Sequence, residues 1–216
     1  MSHRENITVI ISCAGMGTRL GIGTTKALVD VAGKPLIIHQ LEMLKEYDDI
    51  RVVVGYQAER VINVVKEYRM DVMFAFNYEY GSTGTAASFS KGIVGAKDYV
   101  VTFDGDLLVH PQDLENFLKY PGEIVGGCIP TTDNPVLMTI NEQECITEFS
   151  RERGTLEWTG LAKLHRKKLV PGNGHVYQMI EPLMPIKVMK IRTKEIDTPN
   201  DYENAVKWIE NGYREE

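Results

Sequence analysis

Apolar and polar positions repeat along this chain with two different periods. Ile7–Ser12 and Ile50–Val54 are near-continuous apolar runs, the pattern of strands buried on both faces of a parallel sheet. Met73–Phe76 and Tyr99–Phe103 read as two more strands. The segments between them carry apolar residues three or four positions apart, which predicts helices. Pro35 opens one with Leu36, Ile37, Leu41, Met43 and Leu44, and Ala58–Arg69 carries Val61, Ile62, Val64, Val65 and Tyr68. A third helix leaves the small-residue turn at 81–89, and Pro111–Lys119 forms a fourth. Alternation of this kind predicts an α/β fold: three layers, doubly wound, with a mixed, mostly parallel sheet of Rossmann-like form.

Beyond residue 120 the texture changes. Glu123–Ile129, Val136–Ile140, Cys145–Phe149 and Trp158–Leu164 are short apolar runs separated by turns such as Asn141-Glu-Gln-Glu144, and they predict mostly antiparallel strands. A short helix over Gly172–Met184 and a strand over Ile186–Ile191 follow. Pro199 opens a last helix, with Tyr202, Ala205, Val206 and Ile209 inward and Asp197 or Thr198 near its cap.

Composition narrows the function. A net charge of −6 argues against a nucleic-acid binder, which presents a basic face. The cysteines Cys13, Cys128 and Cys145 have no metal-ligand spacing, and an odd, sparse set suits reduced cytosolic thiols. Met1–Glu5 has no apolar signal region, and no apolar run approaches the ~18 residues of a membrane span. The expectation is a cytoplasmic protein with neither a membrane nor a nucleic acid as partner.

The chemistry concentrates after the first strand, in Cys13-Ala-Gly-Met-Gly-Thr-Arg-Leu-Gly-Ile-Gly-Thr-Thr-Lys26. Gly15, Gly17, Gly21 and Gly23 allow tight turns and close approach to a ligand. The amides of such a loop attract anions, and Arg19 and Lys26 add two cations. A triphosphate cradle follows from that combination. A P-loop is excluded, because the only Gly-Lys pair, Gly33-Lys34, precedes Pro35. A dinucleotide fingerprint is disfavoured: its third glycine comes one residue late, at Gly21, and Arg51–Gln57 lacks the acidic residue. Asp104-Gly-Asp106 closes a buried strand, either as a solvated turn or as carboxylates for a magnesium triphosphate.

Ala14-Gly-Met-Gly-Thr-Arg-Leu20, Thr25-Lys-Ala-Leu28 and Val31-Ala-Gly-Lys-Pro-Leu36 together resemble the signature of the nucleotidyltransferases that activate sugar phosphates and phosphocholine. Those enzymes join a nucleoside triphosphate to a phosphorylated acceptor and release pyrophosphate. Two departures are Cys13 in place of the usual alanine and Thr25 in place of the proline before the lysine. The resemblance implies Mg²⁺ on Asp106 and Asp197, Arg19 on the β- and γ-phosphates, and Lys26 near the α-phosphate and the acceptor phosphate. It places Ala14, Gly15, Met16, Gly17, Thr18, Ser82, Gly84, Thr85 and Asp104 around the nucleotide, with Arg151 on the acceptor. Trp158 and Tyr177 with Glu157 suit either core packing or a cationic head group held by cation–π contact. No general base is needed, since a phosphomonoester is largely a dianion at neutral pH with a second pKa of about 6.

One domain over 1–216 is expected, with a nucleotide-binding half at 1–120 and an acceptor-binding half at 121–216. The short chain is closer to the cytidylyltransferases that act on phosphocholine, so CTP is favoured, with a sugar-1-phosphate uridylyl-, thymidylyl- or guanylyltransferase as the alternative. Homodimerisation stays open. Two rivals from other classes are a GT-A-like glycosyltransferase, which would not need Gly17-Thr-Arg19 and Lys26, and a nucleotide sensor, which would not need both Asp106 and Asp197.

Overall fold

The computed structural model describes residues 6–17, 20, 21, 23–132 and 134–214. In chain order its strands are β1 (Ile7–Cys13), β2 (Asp30–Val31), β3 (Lys34–Pro35), β4 (Ile50–Val54), β5 (Met73–Phe76), β6 (Tyr99–Asp104) and β7 (Leu107–Val109). The later ones are β8 (Ile124–Cys128), β9 (Leu137–Ile140), β10 (Cys145–Ser150), β11 (Leu156–His165), β12 (Ile186–Lys190) and β13 (Thr193–Glu195). The helices are α1 (Leu36–Met43), α2 (Ala58–Tyr68), α3 (Thr85–Gly92), α4 (Pro111–Lys119), α5 (Val176–Ile180) and α6 (Pro199–Glu210).

One sheet of nine strands, ordered β5-β4-β1-β6-β11-β8-β12-β10-β9, runs through the molecule. Its first four strands are parallel. Strand β11 lies antiparallel between β6 and β8. Strands β10 and β9 close the far edge antiparallel, as their short turn-separated runs predict, but β8 and β12 pair parallel. The apolar runs of β1 and β4 are buried because both faces are covered. Val9, Ile11, Val52 and Val54 meet α1, α2 and α4 on one side, while Ile10 and Val53 meet α3 and α5 on the other. That distribution is the three-layer, doubly wound architecture. No helix among the described residues is long and apolar enough to cross a membrane.

Two expectations need correction, and a third gains a residue. The four short strands β2, β3, β7 and β13 have no anticipated counterpart. They pair as β2–β3 and β7–β13, each antiparallel. The helix expected across Gly172–Met184 is α5 followed by a 3₁₀ turn at Glu181–Leu183. The inward stripe of α6 holds the expected Ala205, with Tyr202, Val206 and Ile209 packed beside it, and adds Trp208, which is buried too. Thr198 caps α6, its hydroxyl accepting from the Asp201 amide while the Asp201 carboxylate accepts from the Thr198 amide. The cap therefore does not use the Asp197 side chain.

Candidate active site

The carboxyl ends of β1 and β6 open into a cleft of about 1170 Å³, where ligands of wound sheets bind. Its walls are set by three local devices. Residues Gly23–Thr25 of the glycine loop are tied down by Gln57, whose side chain accepts from the Thr24 hydroxyl (3.0 Å) and donates to the Gly23 carbonyl (3.1 Å). Gly17 has φ +62°, and a Cβ there would lie 3.0 Å from Lys26 Cγ, so its bare backbone lets the lysine pass. The turn after β6 is pinned by buried Gln40, whose Nε2 donates to the carbonyls of Asp104 and Leu107 at 2.8 Å each.

The β7–β13 ladder performs the decisive step. It lays Glu195 beside Leu107, and the Ile196 amide donates to the Asp106 carbonyl at 3.0 Å. Asp106, Glu195 and Asp197 thereby gather, each with a carboxylate oxygen within 4.8 Å of the others. Lys26 Nζ donates to Asp106 Oδ2 at 2.7 Å and also to Asp197 Oδ1. Burial works against the lysine's charge, but Asp106 and Asp197 outweigh it and raise its pKa. Burial, reinforced by Asp106, Asp197 and Asp104, pushes the Glu195 carboxyl well above the usual range. Asp104 is raised likewise, first by burial and then by Asp106, with Lys26 opposing. It sits under Gly160 (φ +80°), where a Cβ would overlap its carboxyl. Three hard oxygen donors already collected around one positive charge suit a divalent cation such as Mg²⁺.

The opposite wall is aromatic. Phe149 lies between Trp158 (centroids 5.9 Å apart) and Tyr177 (5.4 Å), and His175 stacks on Tyr177 at 5.7 Å and 9°. Buried Glu157 accepts from the amides of Thr131 (2.9 Å) and Thr132 (3.3 Å) and from the Thr132 hydroxyl. Arg151 donates to the Asn134 carbonyl at 2.6 Å. Both side chains thus hold Thr131, Thr132 and Asn134 while lining the cleft.

The structure brings Ala14, Gly15, Gly17, Lys26, Gly84, Thr85, Asp104, Asp106, Arg151, Glu157, Trp158, Tyr177 and Asp197 to this one cleft. Met16 is exposed and does not line it; Ser82 lies off it, its hydroxyl donating to the Glu79 carbonyl. Thr18 and Arg19 lie outside the described residues. Sequence reasoning passed over Glu195, Gln40 and Gln57. Glu195 had a legible signal: Glu195-Ile-Asp197 places two carboxylates on one face of an extended segment. The two glutamines had none, because each acts on a loop remote in sequence.

Residues 9–167 match the MobA-like NTP transferase domain, and the chain belongs to that family of nucleotidyltransferases. Among relatives, the chain is 28% identical over 170 residues to the bifunctional protein GlmU of Methanocaldococcus jannaschii, an alignment spanning 73% of this chain and 40% of that protein. It is 33% identical over 112 residues to GlmU of Aliarcobacter butzleri, 51% of this chain and 26% of that one. The chain thus spans two fifths or less of either relative. Its fold is shared with CTP:phosphocholine cytidylyltransferase of Streptococcus pneumoniae, at TM-score 0.74 and 22% identity over 94% of this chain and 99% of that one. The inositol-1-phosphate CTP transferase of T. maritima superposes at TM-score 0.79 and 18% identity, covering 97% and 98%.

Proposed function

We propose that this protein transfers a nucleotidyl group from an NTP, CTP by preference, to a small phosphorylated acceptor and releases pyrophosphate. The observation that carries the reading is Lys26 held between Asp106 and Asp197 in the same cleft as the aromatic wall. In this reading the amides of Ala14–Gly17 face the polyphosphate. Lys26 stands between the α-phosphate and the acceptor phosphate, neutralising charge as the new P–O bond forms in line and the bond to pyrophosphate breaks. Asp106, Asp197 and Glu195 would hold Mg²⁺, which when bound supplies further charge neutralisation on the polyphosphate. Arg19 keeps its assignment to the departing phosphates on the sequence resemblance alone. No side chain need take a proton from the acceptor, whose phosphate is already ionised. Catalysis is positioning and electrostatics.

The preference for CTP is supported by both fold neighbours, and that for a phosphocholine-like acceptor by one of them and by Trp158 and Tyr177 lining the same cleft as Glu157. The test is incubation with each of the four NTPs, Mg²⁺ and a panel of phosphocholine, inositol 1-phosphate and sugar 1-phosphates, following pyrophosphate. Turnover with CTP and phosphocholine supports the full reading. Turnover only with a sugar 1-phosphate moves the acceptor, and absence of pyrophosphate with every pair removes the transferase.

A further inference from the structure

Strand β5 ends one side of the nine-stranded sheet. It pairs in parallel with β4, and no strand among the described residues lies beyond it. Natural edges are usually guarded by charge, proline or a bulge. Met73-Phe-Ala-Phe76 has none of these. The Asn77 amide donates to the Val54 carbonyl at 2.9 Å. Backbone groups along a parallel strand face a given neighbour at alternate residues. Met73, Ala75 and Asn77 therefore turn theirs toward β4, while Val72, Phe74 and Phe76 turn theirs outward.

The surface around this edge is apolar. Nine large hydrophobic side chains are exposed among the described residues, and five of them, Tyr68, Met70, Met73, Phe76 and Tyr78, lie within 68–78. Phe76 and Tyr78 stack, with centroids 5.6 Å apart and planes at 11°. Apolar exposure gathered in one place marks a contact surface, whereas scattered exposure does not.

We propose that β5 of a second copy of this chain covers this edge, antiparallel, about a twofold axis at Phe74. Charge selects both the occupant and the register. Outward residues must oppose outward residues to exchange hydrogen bonds, which allows axes at Met73, Phe74 or Ala75. An axis at Ala75 sets Asp71 against Glu79 of the second copy, like charge facing like. An axis at Met73 opposes only Val72 to Phe74 and leaves Phe76 outside the strand pair. An axis at Phe74 opposes Phe74 to itself, Val72 to Phe76, Met73 to Ala75 and Met70 to Tyr78, and it brings Arg69 toward Glu79, opposite charges. The surface is thus complementary to itself, as a twofold dimer requires. The paired sheets run in opposite directions, so the two clefts open at opposite ends and neither covers the other.

Sedimentation velocity of the full chain over about 1–100 μM should show a monomer–dimer equilibrium, the affinity range of a small interface. Phe76→Lys charges the edge and should weaken dimerisation at least about tenfold. Its circular dichroism and tryptophan emission should stay those of the wild type, because Phe76 is exposed. Disulfide trapping reads the register. Opposed Met73 and Ala75 would form a non-hydrogen-bonded pair with Cα atoms about 4.5 Å apart, within reach of a disulfide. A mixture of Met73→Cys and Ala75→Cys chains should therefore cross-link, one to the other, on mild oxidation. Either variant alone should stay at the wild-type level, which controls for Cys128 and Cys145. A monomer throughout the range, a dimer that Phe76→Lys leaves intact, or cross-linking of either cysteine variant alone overturns the proposal. Capture of a different protein by a monomeric chain overturns it as well.

Discussion

At the residue scale, the cleft is a problem of crowded negative charge. Asp104, Asp106, Glu195 and Asp197 share it with Lys26, and carboxylates that close cannot all ionise without opposing cations. Removing a preorganised charge should therefore show in rate more than in folding. Lys26→Ala and Asp106→Asn are each expected to lower kcat by roughly a hundredfold, on the order of 3 kcal/mol, in the pyrophosphate assay. A change below about threefold for both would remove these residues from the chemistry. Glu195 gives a pH prediction whose sign follows from its raised pKa. The native state keeps its proton to higher pH than the unfolded chain, so between the two pKa values the native state binds more protons and stability falls as pH rises. Urea titrations with chelator at about pH 5 and about pH 8 should show that fall, and Glu195→Gln should reduce it, Asp104 supplying the remainder. An undiminished slope in the variant would assign the titration to another group.

At the element scale, long basic side chains finish the helices. Buried Arg51 of β4 donates to the carbonyls of Gly92 (3.0 Å), Val94 (2.6 Å) and Gly95 (3.0 Å) at the end of α3. Arg69 donates to the carbonyls of Leu44 (3.1 Å) and Tyr47 (2.5 Å) after α1, and Lys163 to those of Leu118 (3.1 Å) and Tyr120 at the end of α4. Such carbonyls otherwise lack intrahelical partners. Arg51→Met should strip three carbonyls of their donor and destabilise the protein by about 3 kcal/mol in chemical denaturation. A loss under about 0.5 kcal/mol would mean that water serves them equally well. Within Ile50–Val54, Arg51 looks like an interruption of an apolar strand, yet it is as buried as its neighbours because the end of α3 supplies its partners. Trp208 of α6 falls outside the stripe of Tyr202, Ala205, Val206 and Ile209, yet it is buried in the same cluster as Leu20, Val29, Val31 and Leu36.

At the scale of the whole molecule, the nine-stranded sheet and the β7–β13 ladder beside it make the cleft a joint product of early and late segments. Gly105 illustrates the coupling: its amide donates to the Ser12 carbonyl at 3.0 Å, and a Cβ there would sit 2.5 Å from that oxygen and 2.8 Å from Cys13 Sγ, so β1 and the Asp106 turn meet backbone to backbone. A ligand bridging these parts should stabilise the whole. In the proposed reading, the preferred NTP with Mg²⁺ at about a hundred times its dissociation constant adds about 2.7 kcal/mol, a Tm rise of roughly 5–10 °C for a chain of this size. The rise should be largest for one of the four NTPs and should fall away in Asp106→Asn. Equal shifts with all four, unchanged in the variant, would point to nonspecific anion binding.

The sequence alone determined the runs that become β1, β4 and β6, the glycine loop between them and its lysine, and the family those motifs resemble. These are local properties, written in side-chain period and in residues whose backbone freedom or charge has few other uses. Tertiary structure decided that β11 inserts beside β6, that Gly84 and Thr85 grip residues 173–176, and that Glu195 joins Asp106 and Asp197. Which remote strands pair depends on the burial and hydrogen bonding of the entire chain, and a three-residue ladder such as β7–β13 leaves no periodic trace of its own.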